Sequence, residues 1–249
     1  MSKPAPAPAR LVPPDSAASP VGSLDWPRIA ATLDEVGWTT TGPLLRPEEC
    51  RSLRAAYRCD ALFRSRIDMA RHRFGRGEYR YFAYPLPARV EELRADFYAR
   101  LAPLANRWQE RLGRTQCFPT AHAEYLARCH GAGQTRPTPL LLRYEAGDYN
   151  RLHQDLYGEH VFPLQVAILL SAPGADFTGG EFVLTEQRAR TQSRAHVVPL
   201  AQGEGVIFAV NERPVRSTRG SHRVHMRHGV SEVRNGERYV LGLIFHDAA

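Results

Sequence analysis

The sequence predicts a mainly β protein of the α+β class, in which a sandwich or barrel of short strands is supported by N-terminal helices. Two observations lead to this prediction. After Pro137 the chain consists of short apolar runs separated by Gly, Pro and Asn, a pattern typical of strands in a sandwich or barrel. Before that point, apolar residues recur at helical spacing. The apolar runs are LLLRY, VFPLQVAILLS, GGEFVLTE, HVVPL, GVIFAV and YVLGLIF.

Three helices are predicted in the N-terminal half. The first lies between Asp25, a suitable N-cap, and Gly37, a residue that commonly ends helices. The second begins at Pro47 and carries two acidic residues in its first turn, where the helix dipole favours them. The third covers residues 89–112 and has one apolar face. A short strand is expected at residues 39–41.

Length and composition favour one large domain. The chain has 249 residues, 43% of them hydrophobic, and no apolar run of membrane-spanning length. Residues 1–22 are rich in Pro, Ala and Ser and are predicted to be a flexible tail. Residues 23–249 are predicted to form the domain, with helical support and a lid at about 23–135 and the β core at about 136–249. We expect a cytoplasmic protein, because the N-terminus lacks a signal-peptide pattern and the four cysteines lack disulfide or zinc spacing.

The net charge of +7 favours contact with polyanions such as nucleic acid, although a GC-rich genome would also enrich arginine. Residues 51–80 contain nine arginines and three acidic residues. Arginines on phosphates and aromatic rings on bases would suit nucleic acid, and a turn at residues 75–77 would form a lid-like hairpin. The alternative is a solvated hairpin whose aromatic residues pack on the core. The substrate-binding candidates are Arg71, Arg73, Arg76, Tyr79 and Tyr81.

The phrase RYEAGDYNRLHQD ends in a motif suited to metal ligation. His153 and Asp155 are two residues apart, so on a strand both side chains point to the same face while Gln154 points away. One carboxylate and two neutral imidazoles on one side of a metal leave the other positions open. This arrangement is typical of non-heme Fe(II) oxygenases.

A second histidine is available in the phrase SHRVHMRHGV. His228 is favoured as the distal ligand because Arg238 follows ten residues later, at the start of an apolar strand. An iron oxygenase that uses 2-oxoglutarate needs a fixed cation for the distal carboxylate, and arginine can bind a carboxylate through two hydrogen bonds. His222 and His225 remain alternatives, since a shift along the strand would exchange them with His228.

These residues, together with the GGEF and GVIFAV strands, resemble the 2-oxoglutarate and Fe(II)-dependent dioxygenases. The resemblance implies a double-stranded β-helix (jelly-roll) core. The interval from His228 to Arg238 is similar to the prolyl 4-hydroxylase branch. The phrase RYEAGDYNRLHQD is similar to that of AlkB-type DNA dealkylating dioxygenases, and it implies that Tyr144 contacts 2-oxoglutarate. Leu142 stands where the AlkB type has asparagine, and the C-terminal arginine pair of that type is absent.

From about Phe63 to the C-terminus, the chain resembles a bacterial dioxygenase family whose proposed role is oxidative demethylation of damaged DNA. The resemblance implies Fe(II), 2-oxoglutarate and dioxygen as reaction partners, alkylated DNA as substrate, and release of succinate, CO2 and an aldehyde. A protein (prolyl-type) or small-molecule hydroxylase is the alternative. A metal-bearing sensor without activity is a third class, but the complete ligand set argues against it.

Overall fold

The computed structural model, which describes residues 19–218 and 220–249, consists of helices, two larger antiparallel sheets and one two-stranded sheet. The α-helices are α1 (Trp26–Val36), α2 (Pro47–Ala56), α3 (Ala88–Arg111) and α4 (His122–Gly131). The strands are β1 (Trp38–Pro43), β2 (Phe63–Asp68), β3 (Gly75–Arg76), β4 (Glu78–Phe82), β5 (Leu140–Tyr144), β6 (Tyr149–His153), β7 (Leu164–Leu169), β8 (Phe177–Gly179), β9 (Phe182–Gln187), β10 (Arg194–Val198), β11 (Glu204–Ala209), β12 (Glu212–Ser217), β13 (Gly220–Val230), β14 (Val233–Gly236) and β15 (Arg238–Leu243).

The large sheet has seven strands in the order β1-β11-β7-β15-β5-β4-β2. The small sheet has the order β10-β9-β13-β6-β3, with β12 paired to β13, and a separate pair joins β14 to β8. Residues of β7 and β15 are buried throughout, as the continuous apolar runs of the sequence indicate. The inward-facing residues of both sheets belong to one hydrophobic core.

The three predicted helices are present, and local signals explain their ends. The Asp25 side chain accepts a hydrogen bond from the Arg28 N–H at 3.0 Å and caps α1. Gly37 ends that helix in the left-handed conformation, with a φ of 81°. None of the helices in the described ranges is both long and apolar enough to cross a bilayer.

The N-terminal half contributes more to the sheet than the sequence predicted. Strands β1, β2 and β4 all belong to the large sheet, so residue 135 does not separate helical support from β core. The last residues of the predicted tail are folded. Residues 1–18 lie outside the described part, but Pro20–Ser23 forms a 3-10 turn and Val21 is buried in the core. Helix α4 was not predicted, and Ala121 offers no side-chain cap that would mark its start in the sequence.

A buried ion pair fastens the C-terminal segment to α3. The Arg94 guanidinium donates to Asp247 Oδ1 at 2.8 Å and to the Ile244 carbonyl oxygen at 2.8 Å. Tyr84 Oη donates to Asp247 Oδ2 at 2.9 Å, and His130 Nε2 lies 2.9 Å from the same oxygen. Burial would raise the pKa of Asp247, but the charge of Arg94 and these hydrogen bonds outweigh it and lower the pKa. Since Ile244 follows β15 directly, this pair anchors the central strand of the large sheet.

Replacement of Arg94 by Met is expected to lower the free energy of unfolding by about 3–5 kcal/mol at pH 7, because the Asp247 carboxylate would stay buried without its cation. Urea denaturation measures the loss, and Arg100→Met, on the exposed side of the same helix, is the matched control. The folded-state pKa of Asp247 is depressed, so its contribution is present above about pH 4 and is lost as the pH falls through the folded pKa. An Arg94→Met protein as stable as the control would contradict this account.

Candidate active site

Two histidines meet because of the register between β6 and β13. His228 lies directly opposite His153 in this antiparallel pair. Residues directly opposite one another have neighbouring Cβ atoms on the same face of the sheet. The two imidazole centroids are 4.2 Å apart. The register therefore brings together two potential metal ligands that are far apart in the sequence.

A β-bulge lies next to this histidine pair. Two residues of β6, Arg151 and Leu152, oppose the single residue Gly229 of β13. A Cβ atom at Gly229 would lie only 2.7 Å from the main-chain oxygen of Asn150. Only glycine fits there, so the register that pairs the histidines depends on this residue.

The carboxylate of Asp155 completes the cluster. Strand β6 ends at His153, and Asp155 lies just beyond it, where its Oδ1 is 3.5 Å from His153 Nε2 and its Oδ2 is 3.4 Å from His228 Nε2. The three potential ligand atoms all lie within 4.8 Å of one another. Gln154 turns away, as predicted, and donates to the Met226 carbonyl oxygen at 2.8 Å. The alternatives His222 and His225 are exposed, so His228 is the histidine that the fold brings to Asp155.

The protonation states of Asp155 and His153 favour metal binding. Burial would raise the pKa of the Asp155 carboxyl, but the hydrogen bond and charge of His228, with smaller effects from His153, outweigh it and hold the pKa well below its usual range. Burial, followed by the charge of His228, lowers the pKa of His153. His153 Nδ1 lies 2.7 Å from the Arg151 carbonyl oxygen, which can only accept. Nδ1 therefore carries the proton, and the Nε2 lone pair is directed at the cluster.

Arg238 and Tyr144 lie side by side near the cluster. They are paired across β15 and β5, they are 2% and 0% exposed, and the guanidinium carbon is 5.6 Å from the tyrosine ring centroid. Arg238 Nε and Nη1 make no hydrogen bond to any described residue. Burial lowers the pKa of Arg238 to about 10, which leaves it charged at neutral pH. A buried cation with unused donors is costly without an anion, so this pair fits a carboxylate ligand.

A cavity of about 300 Å³ between the two sheets connects these groups. Its wall contains the five predicted metal and cofactor residues, namely His153, Asp155, His228, Tyr144 and Arg238. Most other wall residues are apolar, among them Leu140, Leu142, Val166, Phe182, Phe208, Val230, Val240 and Ile244. The arrangement can hold a divalent metal, bind an anionic cosubstrate beside it, and limit the access of water.

Among the polar wall residues that were not predicted, Tyr157 and Asn150 contact predicted site residues. Tyr157 Oη donates to Asp155 Oδ1 at 2.8 Å, and Asn150 Nδ2 donates to Tyr144 Oη at 3.4 Å. Tyr157 follows Asp155 by two residues, a spacing that could have indicated the contact. A tyrosine in an apolar segment is equally typical of a core position, however, so the sequence did not distinguish the two.

The arginines of the predicted lid lie outside the cavity. Arg71, Arg73 and Arg76 are exposed, and none of them lines the cavity wall. Phe74 does line it, is 46% exposed, and was not among the predicted site residues. The predicted turn at residues 75–77 is wrong: Gly75–Arg76 is strand β3, which pairs with β6, and a loop from residue 69 connects β2 to β4.

The two predicted tyrosines of this segment differ in position. Tyr79 lines the cavity, whereas Tyr81 lies behind it. The Tyr81 ring packs edge-on against Tyr157 at 6.5 Å, and the Arg64 guanidinium covers it at 4.4 Å. Tyr79 is thus available to a ligand in the cavity, while Tyr81 supports the wall.

Known proteins are similar to this chain in sequence. The profile of the Oxygenase-NA family, described as "Oxygenase, catalysing oxidative methylation of damaged DNA", matches residues 77–248. Two uncharacterized proteins of Mycobacterium tuberculosis, MT2286 of strain CDC 1551 / Oshkosh and Rv2227 of strain ATCC 25618 / H37Rv, are each 53% identical over 168 residues, which cover 68% of this chain and 72% of theirs.

Solved structures of prolyl hydroxylases share the fold. A Pseudomonas putida prolyl-4-hydroxylase matches with a TM-score of 0.50 and 16% identity, over 90% of this chain and 99% of that chain. A Trichoplax adhaerens prolyl hydroxylase was solved with a peptide of the hypoxia inducible factor oxygen degradation domain. It matches with a TM-score of 0.52 and 15% identity, over 88% of this chain and 87% of that chain. The predicted double-stranded β-helix is thereby confirmed.

This fold and the three-residue cluster support Fe(II) and 2-oxoglutarate as cofactors, as the sequence predicted. The family match covers most of the chain and includes all three residues of the cluster. The chain therefore belongs to the Oxygenase-NA family, with the fold and the His-Asp-His donor set of a 2-oxoglutarate- and Fe(II)-dependent dioxygenase.

Proposed function

We propose that this dioxygenase hydroxylates N-alkyl groups on damaged DNA bases and so repairs them, with release of succinate, CO2 and an aldehyde. The observation that carries the proposal is one apolar cavity that joins the His-Asp-His cluster to Arg238, whose Nε and Nη1 donors have no hydrogen-bond partner among the described residues. The description of the family supplies damaged DNA as the substrate class.

In this proposal His153, Asp155 and His228 hold Fe(II) from one side. Two imidazole nitrogens and one carboxylate oxygen are the donor set of non-heme iron oxygenases. When bound, Fe(II) with 2-oxoglutarate and dioxygen supplies the oxidising power to hydroxylate a nearby C–H bond. The apolar residues of the small and large sheets keep bulk water away from the reacting atoms.

Arg238 and Tyr144 bind the cosubstrate. The free Nε and Nη1 donors of Arg238 are suited to the distal carboxylate of 2-oxoglutarate. The Tyr144 hydroxyl, which Asn150 orients through its side-chain amide, provides a neutral donor beside the guanidinium. Burial raises the pKa of Tyr144 to about 12, so its hydroxyl keeps its proton at neutral pH.

Tyr157 positions the carboxylate ligand. Its hydroxyl donates to Oδ1 of Asp155, so this oxygen is engaged while Oδ2 remains next to His228. A carboxylate held in this way would offer its other oxygen to the metal. Residues beyond the ligands commonly orient them in metal sites.

The proposed chemistry on DNA follows from the class of enzyme. An oxygenase carries no methyl donor, so it acts on a methylated base by oxidising the methyl carbon. Hydroxylation of that carbon gives a hemiaminal, whose C–N bond breaks to release formaldehyde while the hydroxyl proton returns to the nitrogen. Phe74 and Tyr79, which line the cavity, would contact the methylated base. Arg71, Arg73 and Arg76 would contact the phosphates of the DNA strand.

We also propose that the protein acts in the cytoplasm. All four cysteines are free thiols in the structure, and such thiols persist in a reducing compartment.

Succinate release across substrate classes tests the function. The full-length protein with Fe(II) and 2-oxoglutarate is expected to release more succinate with methylated oligonucleotides than with proline peptides or small metabolites. Asp155→Ala should abolish the release, because the metal cluster loses the one anionic ligand that its three residues supply. If only proline peptides increase succinate release, the protein hydroxylase is favoured instead. Equal succinate release by wild type and Asp155→Ala would refute the proposed dioxygenase activity.

Substitution Arg238→Met is expected to weaken 2-oxoglutarate binding about 30-fold to 1000-fold, since it removes one partner of a buried charge pair. Isothermal titration with Mn(II) in place of iron measures this without turnover. The same substitution should leave the apoprotein at least as stable as wild type, because an uncompensated buried charge is removed. Marked destabilisation of the apoprotein would mean that Arg238 has a structural role instead.

Removal of the Tyr157 hydroxyl should weaken metal binding about 10-fold to 100-fold, as losses beyond the ligands typically do. Titration of Tyr157→Phe with Mn(II) or Co(II) measures the affinity. Tyr125→Phe is the matched control, since Tyr125 is also a buried tyrosine but does not line the cavity. Equal affinities for both variants would exclude the positioning role of Tyr157.

A further inference from the structure

A surface of which only Arg73 was predicted lies on β6 and β13, the strands that carry the proposed histidine ligands, and on the loop before β3. It consists of five exposed residues, which we call the outer strip: Arg73, Phe74, Arg151, Leu152 and Arg227. Arg151 precedes His153 by two residues, and Arg227 directly precedes His228. The strip is therefore built onto the same rigid backbone as the metal cluster.

The strand geometry places these side chains on the outward face of the small sheet. Successive residues of a strand alternate between faces, so Arg227 points outward where His228 points into the cavity. Arg151 and Leu152 form the bulge opposite Gly229, and both are exposed. Leu152 is 45% exposed, so its apolar side chain is available for contact from outside.

Main-chain contacts fix the adjoining loop to this face. The Arg151 N–H donates to the Phe74 carbonyl oxygen at 2.8 Å. The Arg151 guanidinium donates to the Arg73 carbonyl oxygen at 3.2 Å. Phe74 also lines the cavity, so the outer strip leads directly to the cavity mouth.

The arginines of the strip differ from their neighbours in charge compensation. Arg71 lies 3.5 Å from Asp68, and Arg76 lies 4.0 Å from Asp148. Arg73, Arg151 and Arg227 form no salt bridge with a described residue. Their charge is therefore available to an external anion.

We propose that the outer strip binds the phosphate backbone of a single-stranded nucleic acid and directs one base past Phe74 into the cavity. This inference rests on the proposed function and adds the strand form and the path of the substrate. Arg151 and Arg227 contact phosphates, while Phe74 and Leu152 contact the faces of unpaired bases. Aromatic side chains interleaved with arginines are a common platform for single strands, whereas a duplex would keep its bases stacked inside.

Fluorescence anisotropy with a labelled oligonucleotide tests the proposal on the full-length protein. Arg151→Glu and Arg227→Glu are each expected to lower the affinity for an unmethylated single-stranded oligodeoxynucleotide about tenfold and to reduce the salt dependence of binding. Arg100→Glu, on the exposed side of α3, is the control that should retain wild-type affinity. If the glutamate variants unfold at lower temperature, Arg151→Gln and Arg227→Gln repeat the test without charge reversal.

Two controls identify the partner. The same sequence as a duplex should bind more weakly than the single strand, and polyglutamate should not compete. Three results would each contradict the proposed role of the outer strip. These are tighter binding of the duplex than of the single strand, effective competition by polyglutamate, and wild-type affinity in the Arg151 and Arg227 variants. Failure of the proposed function looks different: wild type itself would bind no DNA, and methylated DNA would not raise succinate release. That result would also contradict the proposed binding role of the outer strip.

Discussion

The active site depends on the pairing of β6 with β13. His153 and His228 are direct partners in this ladder, and the tight approach of Gly229 to the backbone of β6 holds the register. Because side chains alternate between faces, a slip by one residue would turn His228 to solvent and bring Arg227 into the cavity. The metal cluster would then be replaced by a positive charge. A main-chain constraint at one glycine thus controls which side chains can do chemistry.

Two buried charged groups in the cavity differ in whether nearby residues compensate their charge. The Asp155 carboxylate has His153, His228 and the Tyr157 hydroxyl around it, so it is stabilised before any metal arrives. The Arg238 guanidinium keeps two donors without partners among the described residues. A buried charge in this state lowers the stability of the protein until an anion neutralises it. Part of the binding energy of an anionic cosubstrate then offsets that cost, which couples cosubstrate binding to stability.

Sequence reasoning succeeded where the deciding signal was local. The His153 and Asp155 spacing, the caps of α1 and the apolar runs of the sheets depend on neighbours within a few residues. The choice of His228 needed a second local signal, the interval to Arg238. The turn predicted at residues 75–77 was wrong because the form of this segment depends on pairing between β3 and β6, which lie far apart in the chain. Likewise, the position of Tyr157 beside Asp155 depends on how the chain turns after β6, which its residue types do not specify.

The two sheets contribute different kinds of side chain to the cavity wall. The small sheet and the turn after it supply the metal ligands, whereas apolar side chains such as Leu140, Leu142 and Val166 reach the cavity from the large sheet. Substitutions among these apolar residues change the shape of the cavity without touching the ladder that aligns the histidines. Divergence within such a lineage can therefore exchange one substrate for another while the iron chemistry stays intact. For protein engineering, β5 and β7 are the strands on which to alter selectivity, and β6 and β13 are those to leave alone.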